Sequence, residues 1–325
     1  MRRPSPLPSP VAVGTLLTIG AALLLCRLVP IGPDLLGGLG ALVVTTTYTW
    51  VLAARTGGRP VLFAALVAAM GVVVLVTDIT RLRTGAAVLT CSEAAVLGVM
   101  TTVPAQRFAH AVRECSLAVV TAGLGALATV AWEPAVSLVR FEYTTLVLAL
   151  IGAFVLVYRL GAGLHGLGRR GLLAVLVGGV VLVVTLAYAE LLRRYGPGGF
   201  VDDLLSGVHW SRDHLGAFPR PIETVLGVPA LAWGCHMRAR RRQGWWVCAF
   251  GVAATTPVAN ALMNPEIGLL EVVLSVVYGL VIGLAIGYAL IRADLALTGP
   301  RGRRARRAEE ERALRPEPAR TRPLF

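Results

Sequence analysis

The sequence predicts an all-helical membrane protein, a polytopic bundle of about ten transmembrane helices with both termini in the cytoplasm. The first observation is composition: 56% of the 325 residues are hydrophobic and 15% are charged, whereas a soluble domain carries about 25% charged residues. This composition excludes a disordered chain, a disulfide-rich secreted module and an ordinary cytosolic enzyme. The second observation is a series of apolar segments of membrane-spanning length, and the third is an uneven distribution of arginine.

Ten apolar segments are long enough to cross the roughly 30 Å of hydrocarbon in a bilayer, which requires about 20 helical residues. The segments are 11–30, 35–54, 60–78, 85–104, 115–137, 143–160, 171–191, 221–237, 244–263 and 269–292. The eighth is short and interrupted by proline, so nine spans is the alternative. Residues 1–10 then form a cytoplasmic N-terminal tail, 11–293 the bundle, and 294–325 a basic cytoplasmic tail whose prolines indicate partial disorder.

The distribution of arginine predicts the orientation in the cell membrane. With the N-terminus in the cytoplasm, 23 of the 31 arginines lie on the cytoplasmic side, and 12 of the 18 acidic residues lie towards the outside. Cytoplasmic loops of membrane proteins are enriched in basic residues. The reverse orientation would invert every loop, so both termini are predicted to be cytoplasmic.

A basic cluster followed by two tryptophans lies at the predicted cytoplasmic end of the eighth span. Trp245 and Trp246 are typical of a membrane interface, and arginine binds phosphate well. Anionic lipid headgroups are therefore predicted to bind at Arg238, Arg240, Arg241 and Arg242. The other expected partners are a second copy of the chain or a partner membrane subunit. Nucleic acid is not expected, because orientation alone accounts for the charge pattern, and no cofactor is expected.

Glu93 is the leading candidate for a binding residue. It lies about eight residues into the fourth predicted span, roughly 12 Å below the outer surface, where an ionisable group costs at least about 2.5 kcal/mol. The hypothesis is a proton or cation relay, and the alternative is a structural carboxyl paired with Arg27. Glu133 and Arg140 join this site in a predicted outward-facing acidic vestibule, because Pro134 interrupts a helix there.

The other charged residues of the outer half are predicted either to reach the headgroups with their long side chains or to belong to the same vestibule. They include Asp34, Asp78, Arg81, Arg83, Glu142, Glu190, Glu223 and Glu271. In the last span, Gly279, Gly283 and Gly287 repeat every four residues, which predicts a groove for close helix packing within the bundle or in a dimer.

The long outer loop 192–220 is predicted to contain a helix that lies on the membrane surface. Asp202, His209 and Asp213 share one stripe of this helix, where they could hold a divalent cation or supply a general base. The alternative is the solvated face of an amphipathic helix, because His209 and His214 lack the i, i+4 spacing of helical metal ligands.

Three functional hypotheses fit these features. The first is a permease-like or transport-associated protein with an outward acidic vestibule. The second is a non-catalytic membrane scaffold or partner subunit that acts through its basic tail. The third is an outer-face enzyme that uses His209 with Asp202 or Asp213, although the sequence contains no nucleophile elbow, Walker loop or HExxH motif, which weighs against an enzyme.

Three segments carry a resemblance to known proteins. They are Gly216 to Glu223, Ala232 to Trp246 and Leu295 to Glu310. With these segments the chain resembles, over most of its length, a family of multi-span integral membrane proteins of high-GC actinobacteria. That family has no established activity, so the resemblance implies a membrane location and transfers no functional residue.

Overall fold

The structure is a computed structural model that describes residues 9–28, 33, 35–159, 164–195, 198–240, 244–298, 317, 318, 320 and 322–324. All regular secondary structure among these residues is helical, which confirms the all-helical prediction. The α-helices are α1 (Pro10–Leu28), α2 (Leu35–Arg55), α3 (Pro60–Thr77), α4 (Thr80–Met100), α5 (Phe108–Ala131), α6 (Leu138–Val157), α7 (Leu164–Tyr195), α8 (Gly198–Leu215), α9 (Val228–Arg238), α10 (Gly244–Cys248), α11 (Val252–Met263) and α12 (Leu269–Thr298).

Seven helical stretches of the described residues are long and apolar enough to cross a membrane. They are Leu35–Arg55, Pro60–Thr77, Thr80–Met100, Phe108–Ala131, Leu138–Val157, Gly244–Met263 and Leu269–Leu297. Two further apolar stretches, Pro10–Cys26 and Val175–Tyr188, are shorter. The prediction of an all-helical bundle with several helices able to span a membrane is thus confirmed, whereas the number ten and the orientation of the termini stay predictions.

The fourth predicted span begins earlier in the structure than the hydropathy indicates. Helix α4 starts at Thr80, five residues before the predicted start at 85. The helix can include the two arginines of its first turn because Arg81 is exposed and Arg83 forms ion pairs. Glu93 lies 13 residues from the start of α4, which is about 20 Å, and seven residues, about 10 Å, from its end at Met100. Measured along the helix, Glu93 is therefore deeper than the predicted depth of about 12 Å.

The two ends of the bundle are named from the contacts made there. At the tail-side end, the Nε atom of Arg55 donates a 3.1 Å hydrogen bond to the Met100 carbonyl. The backbone amide of Leu324 donates to the Arg55 carbonyl at 3.0 Å, which places the end of the C-terminal tail here. At the loop-side end, Arg83 at the start of α4 contacts Glu133, which follows α5.

Two neighbouring helices are irregular within the bundle. The helical run 221–238 includes a π-helical turn, Glu223–Gly227, before it continues as α9. Helices α10 and α11 are joined by a 3-10 turn, Ala249–Gly251, and α11 contains Pro257, whose nitrogen has no hydrogen to donate. Such irregularities expose backbone groups that a regular helix would pair internally.

Helix α12 packs against the run 221–238 through the predicted glycine groove. A β carbon at Gly279 would lie 2.9 Å from the carboxyl carbon of Glu223, and one at Gly283 would lie 2.6 Å from the β carbon of Val228. Small residues at this spacing allow helices to approach closely. The predicted groove is therefore confirmed, and it is occupied by a helix of the same chain.

The outward faces of α3 and α7 are apolar. Exposed side chains include Leu62, Leu66 and Met70 on α3 and Leu173 and Val180 on α7. Soluble monomers rarely expose large continuous apolar surfaces. These faces suit contact with lipid hydrocarbon, as expected for a membrane bundle.

Candidate functional site

Glu133 pairs with the start of α4 and not with Glu93. Its Oε2 atom lies 2.6 Å from Nη1 of Arg83, whose Nη2 atom lies 2.6 Å from Asp78. Arg83 and Glu93 are ten residues apart on α4, which is about 15 Å. Arg140 is exposed near the start of α6. The structure therefore does not bring Glu133 to Glu93, as the predicted vestibule requires.

Glu93 is half-buried and faces α2. The Thr49 hydroxyl is its hydrogen-bonding neighbour, and Tyr48 lies close enough to interact electrostatically with its carboxyl. The predicted partner Arg27 lies in α1, but its side chain is outside the described residues. Glu93 thus has a hydroxyl neighbour on α2, and its predicted relay role stays a prediction.

The Arg83–Glu133 ion pair is expected to contribute little to stability. The Glu133 side chain is 43% exposed, and exposed ion pairs contribute about 0.2–1 kcal/mol. We expect Glu133→Gln to lower the free energy of unfolding by less than about 1 kcal/mol, measured by denaturant unfolding of the purified protein in detergent. A larger loss would show that the pair holds the connection after α5 more tightly than its exposure indicates.

Glu223 is the most unusual carboxyl of the described structure. It begins the π-helical turn before α9, its residue is 0% exposed, and neither carboxyl oxygen has a hydrogen-bond partner among the described residues. On one side it packs directly on the backbone of Gly279, which offers no side chain. Burying a polar group without a hydrogen bond is costly, and burying a charge without compensation costs far more.

Arg220 is the cation whose charge acts on this carboxyl in the described structure. It lies close enough to Glu142 and Glu223 to interact with both electrostatically. Its Nη1 atom donates a 3.0 Å hydrogen bond to the carbonyl of Pro257 in the irregular helix α11. The Nδ2 atom of Asn260 donates to Oε2 of Glu142 at 2.9 Å. We call the set Glu142, Arg220, Glu223 and Asn260 the Glu223 centre.

A cavity of about 140 Å³ lies beside Arg220 of this centre, and Glu142, Glu223 and Asn260 are not part of its lining. It is lined by Arg220, Arg212 and Glu271 together with Ser275 and several apolar residues. Nε of Arg212 lies 3.0 Å from Oε1 of Glu271, so α8 and α12 are joined by an ion pair at the cavity. Charged groups therefore extend from the loop-side end through Arg220 to Glu223.

A second cavity, of about 310 Å³, adjoins the first. The two share Ile267 and Val272 in their linings, and the second is otherwise lined by apolar residues and Glu133. Glu133 thus faces an apolar pocket, and neither cavity is lined by Glu93.

The predicted metal site on the outer loop is not assembled among the described side chains. Residues 198–215 form α8, which confirms the predicted loop helix. His209 and Asp213 are exposed on it, and the side chain of Asp202 lies outside the described residues. The described part of the chain contains no group of three or more His, Cys, Asp or Glu residues that could hold a metal ion.

Arg238 differs from its predicted position at the lipid headgroups. The residue is 2% exposed, and its guanidinium donates to Oγ1 and the carbonyl of Thr102 at 2.7 and 3.0 Å. It also pairs with Glu317 of the C-terminal tail and lies over the Trp245 ring, 3.4 Å from its centroid. Protein groups, not phosphates, therefore satisfy this arginine. Arg240 is half-buried, and the lipid role predicted for Arg241 and Arg242 lies outside the described residues.

The sequence places Glu223 among the charged residues of the outer half, as an interfacial or a vestibule residue, and does not single out Arg220 or Asn260. The long-range contact with Gly279, 56 positions away, buries Glu223. Two local signals were available: Arg220 lies three residues before Glu223, and Pro221 and Pro229 flank the turn. Prolines on both sides of a carboxyl indicate an irregular helix start.

The comparisons with known proteins assign no family to this geometry. No protein-family model matches the chain, and no curated protein or solved structure is significantly similar to it. The resemblance to actinobacterial membrane proteins stays a prediction. The described residues and their contacts are thus the basis for any functional argument.

Proposed function

We propose that the chain is a multi-span, permease-like protein of the cell membrane in which Glu223 binds and releases a proton during transport. The observation that carries this proposal is a fully buried carboxyl with neither oxygen hydrogen-bonded among the described residues. Ionisable groups within membrane bundles are expensive and commonly belong to ion or proton pathways. Protonation neutralises such a carboxyl, and it requires no additional ligand in the buried site.

The depth of Glu223 supports a transport site. Gly279, on which the carboxyl packs, is ten residues from the start of α12. Ten helical residues span about 15 Å, half of the roughly 30 Å hydrocarbon core. Binding sites of many transporters lie near the midplane where helices are discontinuous, and Glu223 lies in a π-helical turn.

The charge balance favours a proton over a metal ion. Glu142 and Glu223 carry two negative charges when ionised, and Arg220 supplies one positive charge between them. One further positive charge neutralises the centre. A divalent cation takes several oxygen ligands, and no three-residue metal group occurs among the described side chains.

The proposed orientation places the tail-side end in the cytoplasm. Arginines at that end include Arg55, Arg59, Arg107 and Arg113, as the positive-inside rule expects. The Glu223 centre would then open, through the cavity at Arg212 and Arg220, towards the outside.

The other two hypotheses have less support. A scaffold that acts through a free basic tail is weakened because the described end of that tail is packed against the bundle. An outer-face enzyme is weakened because His209 and Asp213 are exposed on α8.

Proton flux into liposomes tests the proposal. The full chain is reconstituted with a pH-sensitive dye inside, and a potassium diffusion potential, negative inside, drives proton entry. We expect faster acidification than in protein-free liposomes, and we expect Glu223→Gln to reduce the protein-dependent rate at least tenfold. Gln keeps the size of the side chain but cannot release a proton in this way.

Glu133→Gln is the matched control, because it removes a carboxyl from the loop-side end without touching the Glu223 centre. It should retain at least half of the rate. The proposal is refuted if the parent chain is no faster than protein-free liposomes, or if Glu223→Gln conducts as well as Glu133→Gln.

A further inference from the structure

The tail-side end of the bundle contains a groove of buried polar groups, which we define as Arg55, Thr102, Glu114 and Arg238. Their exposed fractions are between 0 and 2%, although three of them are charged. Buried charges require partners. The described residues of the C-terminal tail (317, 318, 320 and 322–324), here called the strap, supply several of these partners.

Arg55 binds the backbone of the strap. Its Nη1 atom donates 3.1 Å hydrogen bonds to the carbonyls of Pro318 and Arg322. Its own carbonyl accepts a bond from the Leu324 amide at 3.0 Å. These contacts recognise the backbone of a curved peptide, independent of side-chain identity, because one nitrogen atom binds carbonyls four residues apart.

Two strap side chains make opposite charge contacts with the groove. Glu317 pairs with the guanidinium of Arg238, which also donates from Nε to Oε1 at 3.4 Å. Arg320 pairs with both carboxyl oxygens of Glu114, at 2.7 Å for Nη2 to Oε1, and donates to the Thr101 carbonyl at 2.9 Å. An acidic residue followed three positions later by an arginine thus matches the charges of the groove in order.

The strap also has an apolar anchor. Leu324 packs against the apolar core cluster that contains Met100 and Trp245. Backbone contacts, two charge contacts and this leucine together define one peptide geometry.

We propose that the tail-side groove is a peptide-recognition site, and that its resident occupant is the chain's own C-terminal strap, which closes this end of the bundle and is released when its two charge contacts are lost. A peptide of the same pattern, acidic residue, two residues, arginine and a leucine four positions further on, is the class of ligand that the groove fits. This inference does not depend on proton transport.

Distance measurement between two spin labels on the full chain tests it. One label is placed at Gln106, exposed at the tail-side end, and the other at Arg322, whose side chain is exposed while its carbonyl binds Arg55. Both positions are changed to cysteine in a Cys26→Ser background, because Cys26 is half-buried while the other four cysteines are buried.

We expect one narrow distance distribution for the bound strap. The double variant Glu317→Gln/Arg320→Gln should broaden it, with at least half of the population moved to other distances. Arg59→Gln, which removes an exposed arginine from the same end, should leave the distribution unchanged. A broad distribution in the parent chain, or a narrow one in the double variant, would overturn the proposal.

Two further measurements test the proposal if the double variant fails to fold, or if the strap binds a second copy of the chain. A synthetic peptide of residues 317–325, added at several millimolar to the labelled parent chain, should broaden the distribution, since tethered segments reach millimolar effective concentrations. The same peptide with both Gln substitutions should not, and equal effects of the two peptides would contradict specific recognition. Mixing singly labelled chains should give no dipolar signal, and a signal would assign the strap to a second copy.

Discussion

Gly227→Ala is expected to destabilise the protein by about 3 kcal/mol, the upper part of the usual range for added volume in a packed core. A β carbon at this position would lie 2.2 Å from the backbone nitrogen of Ala254 and 2.5 Å from the carbonyl carbon of Ala253. Backbone atoms cannot rotate away as a side chain does, so the π-helical turn and α11 must separate. The measurement is denaturant unfolding in detergent.

Gly123→Ala is the matched control for this substitution. Gly123 lies in α5, and a β carbon there would have no neighbour within 4 Å. Because alanine is favoured over glycine inside a helix by roughly 0.5–1 kcal/mol, the control should be neutral or slightly stabilising. Equal stability of the two variants would contradict the close approach of the π-helical turn to α11.

Arg238→Gln is expected to lower the free energy of unfolding by about 3 kcal/mol, as is typical when one partner of a buried ion pair is removed. The shorter glutamine cannot reach Thr102, Glu317 and the Trp245 ring at the same time. Thr102 is 1% exposed and would keep polar atoms without a donor.

Arg240→Gln, two residues further on, removes the same charge from a half-buried position and should change the stability by less than about 1 kcal/mol. If both arginines served mainly to bind lipid headgroups, the two variants would instead show similar, small losses of stability. That result would restore the original prediction for Arg238.

The helices could be predicted because membrane spans have a strong local signal. A run of about 20 apolar residues must be helical to satisfy its backbone in lipid, and the structure has helix over most of the described residues of each predicted segment. The ends were less predictable: α4 begins with residues 80–84, four of which are polar, and it ends at Met100, four residues before the predicted end. The π-helical turn at Glu223 was not predicted either, because hydropathy does not register it.

The candidate site depends on contacts between residues far apart in the sequence. Burial of Glu223 requires Gly279, and burial of Arg238 requires Glu317, 79 positions away. Composition indicated a partly disordered tail, because arginine, glutamate and proline dominate it. The described end of the tail is nevertheless docked, since Arg320 meets the buried carboxyl of Glu114, 206 positions distant.

Infrared difference spectroscopy tests the central claim, that Glu223 binds and releases a proton. Spectra of the reconstituted full chain at low and high pH are subtracted, and the carbonyl stretch of protonated carboxyls is compared with that of Glu223→Gln. We expect the parent chain to show a carboxyl band that Glu223→Gln lacks, with Glu133→Gln retaining it. Superimposable difference spectra for the parent chain and Glu223→Gln would show that this carboxyl does not exchange a proton and would contradict the proposed function.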